Sequence, residues 1–352
     1  MRGAANHIPV SGTFELTPRC DFSCEMCYIH MSPAEQQTAG RELTIEQWLS
    51  LGCDAVGAGM IYLLLTGGEP MIRADFCELY ASLAKMGLMV SVNTNASLID
   101  GKVADCFKAY LPEAVNITIY GMSDETYRAV CGVPDGYSRM REGVERLRRA
   151  GVPMVFNTTF TRHNADDMEA IIEFAKSQGV AVRTAGFIFP PVRCAKDSEC
   201  GGILSPEEQG RLCARFDRLT LDDDDRARRV RIFDECRDAV SAAEGQGARG
   251  GCMAGRGAFW ITWDGRMLPC GMLPGLSADL FCGGNGGDSG FAEAWERMRE
   301  LSDRVLVPAE CLECPRGRVC PVCGAVVESL RHEGVPPRRL CRFVSSMIDA
   351  SL

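Results

Sequence analysis

The stretch "TPRCDFSCEMCYIH", residues 17–30, sets cysteines at positions 20, 24 and 27 directly behind the β-type run "TFELT" (13–17). Three thiols so close together are metal ligands, disulfide partners, or coincidence in a chain of 352 residues with 19 cysteines. The remainder of the sequence narrows the choice. The opening "MRGAANHIPVSG" has no apolar signal core, and no run of about 18 apolar residues follows, so a cytoplasmic protein with no membrane partner is expected. A reducing compartment favours metal ligation over disulfides for clustered cysteines, and an odd total fits poorly with complete pairing.

Composition, at 46% hydrophobic and 24% charged residues, is that of a globular protein long enough for two or three domains. Net charge is −9, and no basic tract is interleaved with aromatics, which excludes a nucleic-acid partner that relies on phosphate neutralisation. The densest charge run, "LDDDDRARRVR" (221–231), mixes both signs and reads as a solvated loop entering a helix.

Beyond the triplet, short β-type runs alternate with amphipathic helical patterns. Strands are expected at 13–17, 61–67, 89–95, 114–121, 153–160 and 180–189, and helices at 44–59, 76–87, 138–151 and 166–179. Six strand–helix units predict an α/β fold with a parallel sheet, a partial (β/α)6 TIM-like barrel whose functional groups gather at the C-terminal strand ends. Both the cysteine triplet and "TGGEP" (66–70) fall at such ends. The alternation stops at "FPPVRCAKDSECGG" (189–202), and a helical connector is expected over about 206–244. The expected division is a barrel over 1–190, a connector over 191–250 and a small cysteine-rich domain over 251–352.

That last segment holds "CLECPRGRVCPVC" (311–323), two Cx2C pairs separated by five residues. Paired Cx2C units serve zinc, but a zinc ribbon generally separates its pairs further. Iron–sulfur ligation, with one ligand drawn from afar, fits the short spacer better, and zinc remains the other local reading.

"CDFSCEMC" followed by "TGGEP" resembles the radical S-adenosylmethionine (SAM) superfamily. The resemblance implies that Cys20, Cys24 and Cys27 ligate three irons of a [4Fe–4S] cluster. SAM chelates the fourth iron and is cleaved to a 5′-deoxyadenosyl radical that removes a hydrogen atom from substrate. It further implies that Gly67, Gly68 and Glu69 face the methionine end of SAM, and that Asn93 and Thr118 reach the cofactor from strand ends. Ordinary strand polarity is an equal reading of those last two. The aromatic residue usual before the third cysteine is Met26 here, with Tyr28 just after it, and Met26 is expected against the adenine.

The second half resembles the SPASM extension of that superfamily, which carries auxiliary clusters. Cys252, twelve residues, Gly265, four residues and Cys270 are followed by Cys311, Cys314, Cys320, Cys323 and Cys341. The departure is a Cx2C step from 320 to 323 where the pattern has Cx3C. By position, Cys311, Cys314, Cys320 and Cys341 hold one auxiliary [4Fe–4S] cluster. Cys252, Cys270 and Cys323 hold the other, which has either an open iron or Cys282 as its fourth ligand. The resemblance thus implies three clusters, SAM and an external electron donor of flavodoxin or ferredoxin type.

Of the other cysteines, Cys53, Cys77 and Cys106 are expected as small buried helix residues, and Cys131, Cys194 and Cys200 in loops near the barrel mouth. His30 is expected beside the cluster's surroundings or exposed. "GRGAFWITWDGRMLPCG" (255–271) reads as a hairpin turning at Asp264–Gly265, with Trp260 and Trp263 as packing residues. The function expected is hydrogen abstraction from a peptide, leading to crosslinking, epimerisation or oxidation. The alternative is a small-molecule radical oxidoreductase acting on an alcohol or sugar-like substrate. Only about a dozen residues precede the first strand, against the leader-binding domain of many peptide maturases. A zinc-stabilised binding module does not account for "TGGEP".

Overall fold

The computed structural model describes residues 6–29, 31, 33–189, 202–237, 252–281, 290–331, 334 and 336–352, without the side chains of 33 and 235–237. Cys194, Cys200, Cys282, His30, His332 and the Cys236 side chain therefore lie outside the described residues.

Six strands form a parallel sheet in chain order: β1 (Ser11–Glu15), β2 (Tyr62–Thr66), β3 (Met89–Thr94), β4 (Ala114–Thr118), β5 (Met154–Thr158) and β6 (Val182–Thr184). Each expected strand is present, although β6 keeps only three residues of the run at 180–189. Each of the first five pairs with its successor, and β6 does not close onto β1, so the barrel is open. Three further strands extend the β1 edge. β7 (Ala258–Ile261) is parallel to β1, and β8 (Arg266–Leu268) and β9 (Ala278–Asp279) are antiparallel additions. The hairpin between β7 and β8 turns where expected, with Gly265 at φ +85.

The helices between these strands cover the sheet: α1 (Pro33–Ala39), α2 (Ile45–Gly57), α3 (Phe76–Lys85), α4 (Gly101–Ala109), α5 (Asp124–Cys131), α6 (Gly136–Ala150) and α7 (Met168–Gln178). Thr44 and Gln47 form a reciprocal capping box that starts α2, and left-handed Gly179 ends α7. The connector comprises α8 (Pro206–Thr220) and α9 (Asp223–Arg237), so the mixed-charge run 221–231 lies mostly within a helix. α10 (Phe291–Ser302), α11 (Ala309–Leu312), α12 (Gly324–Ser329) and α13 (Arg338–Ser351) complete the chain.

Two apolar cores result. The main one runs from Phe14, Trp48 and Leu65 across the sheet to Phe259, Phe291 and Trp295, so β7, β8 and α10 pack with the barrel. The second joins Phe187 and the connector residues Cys213 and Phe233 to Val326, Leu340, Phe343 and Ile348. Trp263 is buried, as a packing residue should be, and Trp260 also donates Nε1–H to the buried Glu15 carboxylate at 2.8 Å. Cys53, expected inside, is exposed, because it falls on the polar side of α2. Cys77 and Cys106 are half-buried, and the Cys106 thiol donates to the Cys77 carbonyl at 3.5 Å. Cys131 ends α5 and is buried rather than in a loop.

Candidate active site

The loop after β1 carries the cysteine triplet, and the loop after β2 carries Gly67, Gly68 and Glu69. The two loops lie in backbone contact: Gly68 N–H donates to the Thr17 carbonyl and Glu69 N–H to the Arg19 carbonyl, both at 2.8 Å. A Cβ on Gly68 would stand 2.3 Å from the Arg19 oxygen, and one on Gly67 2.6 Å from the Thr17 oxygen. Glycine is needed here because side chains would part these loops.

Between the strand ends lies a cavity of about 770 Å³, part of it open to solvent. Cys20, Cys24, Cys27, Tyr28, Gly67, Gly68, Asn93 and Thr118 all line it. Phe22, Thr66, Thr94, Asn95 and Tyr120 join them, and sequence reasoning did not single these out. Thr66, Thr94 and Asn95 sit at or directly beyond the ends of β2 and β3, so strand-end position was their available signal.

Two expected residues do not line the cavity. Met26 is half-buried and packs on the main core. Glu69 is fully buried behind the cavity, where its carboxylate ties the β2 loop to the end of β3. Thr94 Oγ1–H reaches both of its oxygens at 2.9 Å, and the amides of Asn95 and Met71 donate at 2.9 and 3.2 Å. Burial pushes the Glu69 carboxyl up to about 7 despite these donors, with the Asp21 charge adding to the rise. Nearby, the Asn116 side-chain amide donates to Asn93 Oδ1 at 3.0 Å.

Burial raises the Cys20 thiol well above its ordinary range, against one opposing contact from the Phe22 amide at 3.4 Å. Burial and then the neighbouring Cys24 raise the Tyr120 phenol likewise. The Cys20 thiol favours the neutral form until a metal supplies the compensating positive charge. Three soft thiol donors around a roomy cavity with polar strand-end groups fit a three-ligand iron–sulfur cluster with space for a chelating cofactor.

A second cavity, about 530 Å³ with its open part, is lined by Cys252, Cys270 and Cys323 together with Arg256, Ser302 and Leu273. A separate set comprises Cys311, Cys314, Cys320 and Cys341, which lie close enough for their charges to act on one another. Cys311 is pushed up to about 11 and Cys320 to about 12, by burial first and then by these neighbours. Among the described residues, no three or more His, Cys, Asp or Glu side chains converge as ligands of a single metal ion.

An open parallel barrel with a tri-cysteine cavity at its C-terminal strand ends defines a class, and comparison with known proteins specifies it. Residues 14–175 match the model of the Radical SAM superfamily. The matched segment is the barrel, the chain is an enzyme, and the match implies a [4Fe–4S] cluster and SAM. It is 26% identical over 337 residues to an AdoMet-dependent heme synthase of Methanosarcina barkeri, covering 92% of this chain and 93% of that protein. It is 25% identical to a PqqA peptide cyclase of Ruegeria pomeroyi, covering 88% and 80%. Among solved structures, native anSMEcpe with bound AdoMet superposes with a TM-score of 0.71 at 16% identity, covering 97% of both chains. Streptococcus suis SuiB bound to precursor peptide SuiA gives 0.63 at 14% identity, covering 90% of this chain and 72% of that one. The fold likeness to anSMEcpe spans nearly the whole chain, cysteine-rich segment included.

Proposed function

We propose that the protein is a SPASM-type radical SAM enzyme that abstracts a hydrogen atom from a peptide substrate. The observation that carries the reading is the cavity uniting Cys20, Cys24 and Cys27 with Gly67, Gly68, Asn93 and Thr118 at the ends of four adjacent strands. Cys20, Cys24 and Cys27 would hold the cluster, and the polar strand-end groups, with Tyr28, would hold SAM. When bound, cluster and SAM supply reductive cleavage of SAM and hydrogen-atom abstraction. The chain's own part is to fix the cysteine loop through the Gly67–Glu69 turn and to enclose the cofactor. Met26 and Glu69 would act from behind the cavity wall, Glu69 by setting the turn.

Cys252, Cys270 and Cys323, which share one cavity, would hold an inner auxiliary cluster. Cys311, Cys314, Cys320 and Cys341, mutually close, would hold an outer one. The division into 1–190, 191–250 and 251–352 then describes a barrel, a connector and a cluster-bearing segment, with an external flavodoxin- or ferredoxin-type donor in a reducing cytoplasm.

Peptide substrates are supported by the PqqA peptide cyclase relative. A second reading, a small non-peptide substrate, is favoured by the heme synthase relative, which aligns over more of both chains. Anaerobic reconstitution should yield about 12 irons per chain, and SAM plus reductant should release 5′-deoxyadenosine. Stoichiometric zinc in a colourless protein would refute the cluster reading. Mass change in a short peptide encoded beside the gene, against conversion of a tetrapyrrole, separates the two substrate classes.

A further inference from the structure

Asp21, inside the cysteine triplet, carries a carboxylate held by three residues of two other segments. Asn95 Nδ2–H donates to its Oδ1 at 2.9 Å, Ser97 Oγ–H donates to Oδ2 at 2.6 Å, and the Arg139 guanidinium of α6 ion-pairs with Oδ2. The amide of Asn95 cannot be reversed, because its Oδ1 accepts the Ser97 N–H at 2.8 Å. Its Nδ2 is thereby held 3.8 Å from Cys20 Sγ. Arg139 also lies over the Phe22 ring, 5.7 Å from its centroid, so one side chain holds two residues of the cysteine loop. The other carboxylate near Arg139, Asp135 at 3.6 Å, is 60% exposed and so a weaker competitor than Asp21 at 17%.

We propose that Arg139 and Asn95 are positioning residues that set the reduction potential of the cluster held by Cys20, Arg139 by neutralising Asp21 and Asn95 by hydrogen-bonding the sulfur. This deepens the proposed function and rests on its assignment of Cys20 as a ligand. Net charge and hydrogen bonds to sulfur are two of the levers that fix iron–sulfur potentials. With Arg139 removed, Asp21 leaves an uncompensated negative charge beside the ligand, which disfavours electron entry. With Asp21 neutralised and Arg139 kept, the sign reverses. A merely structural clamp has no such sign, since losing either partner loosens the same loop.

The test is a mediator-poised titration of the reconstituted full chain without SAM, followed by electron paramagnetic resonance. One electron enters from the mediator, and no bond forms or breaks. The signal lost in Cys24→Ala marks this cluster among the three. Arg139→Gln is expected to lower its reduced-to-oxidised ratio at a fixed poise about tenfold, which is about 59 mV for a one-electron couple. Asp21→Asn should raise the ratio, the double variant should return close to wild type, and Asn95→Ala should lower it. Thermal unfolding of the cluster-free chains shows how far each change loosens the fold. Equal or same-signed shifts in Arg139→Gln and Asp21→Asn, or lost iron at unchanged potential, overturn the proposal and leave the enzyme assignment standing. A wild-type chain that takes up no cluster at Cys20 overturns both.

Discussion

Replacement of Glu69 by Gln tests whether the turn after β2 depends on a buried, partly ionised carboxylate. In the native chain three donor groups converge on the two oxygens, and both oxygens accept. A Gln side chain offers one acceptor and sets an NH2 group against a backbone N–H, which leaves a buried donor unmatched at a cost of about 1–3 kcal/mol. Burial raises the Glu69 pKa from 4.5 to about 7, so between those values the folded chain binds more protons at this site than the unfolded chain. The stability contributed by the protonated form is complete below pH 4.5 and is lost as pH rises through 7, by about 3 kcal/mol in all. Glu69→Gln has no such proton to lose. Urea unfolding of the cluster-free wild type and variant, run anaerobically with a thiol reductant at several pH values, isolates the effect because all other groups are common to both. The wild-type advantage should be largest near pH 4.5 and shrink by about 3 kcal/mol by pH 8. Parallel profiles for the two proteins would show that the carboxylate carries no burial penalty.

Gly68→Ala places a methyl group 2.3 Å from the Arg19 carbonyl and should part the two loops, lowering iron retention after reconstitution while far-ultraviolet circular dichroism stays native. Cys24→Ala should abolish release of 5′-deoxyadenosine and reduce iron from about 12 to about 8 per chain, by elemental analysis. Asn164 is buried, and its amide donates to the Tyr120 and Thr159 carbonyls at 2.8 and 3.0 Å while its Oδ1 accepts from the Thr161 N–H at 2.6 Å. Asn164→Ala should therefore cost about 1–3 kcal/mol in denaturant unfolding.

The strands were legible because each carries a β-type apolar run, and the two decisive loops because cysteine and glycine are informative residue types. The sequence reading assigns no helix at α1, α4 and α5, which are short or weakly patterned, nor at α10 to α13, which lie in the segment read for its cysteines. The stretch "GKVADCFKA" of α4, for instance, has three charged residues among nine and starts on glycine. Long-range polar pairing leaves no local trace. Asp21 and Arg139 are 118 residues apart, and Trp260 and Glu15 are 245 apart, so neither partnership follows from spacing. Glu69 shows the limit of motif reading, since "GGE" locates the loop but does not tell which way the carboxylate turns. Its direction is set by Thr94 and Asn95, which become neighbours only when β2 and β3 pair.

The order of strands bears on how the cysteine sets are linked. β7 hydrogen-bonds to β1, whose end leads into the Cys20–Cys27 loop, and β8 leads directly to Cys270 in the second cavity. Trp260 on β7 donates to Glu15 at the end of β1, so the same contact joins the strand that precedes the first cysteine set to the hairpin that presents the second. The route from one set to the other therefore runs through sheet hydrogen bonds and a buried polar contact rather than across a loop. Cys320 and Cys323 instead pack against the other core, with α8, α9 and α13 around it. Since Cys323 also faces the second cavity, the two-residue step from Cys320 to Cys323 is where the outer set meets the inner one. Under the proposed assignment, shortening that step from the three residues of the related pattern restricts how independently the two sets move, which suits clusters that exchange electrons rather than atoms.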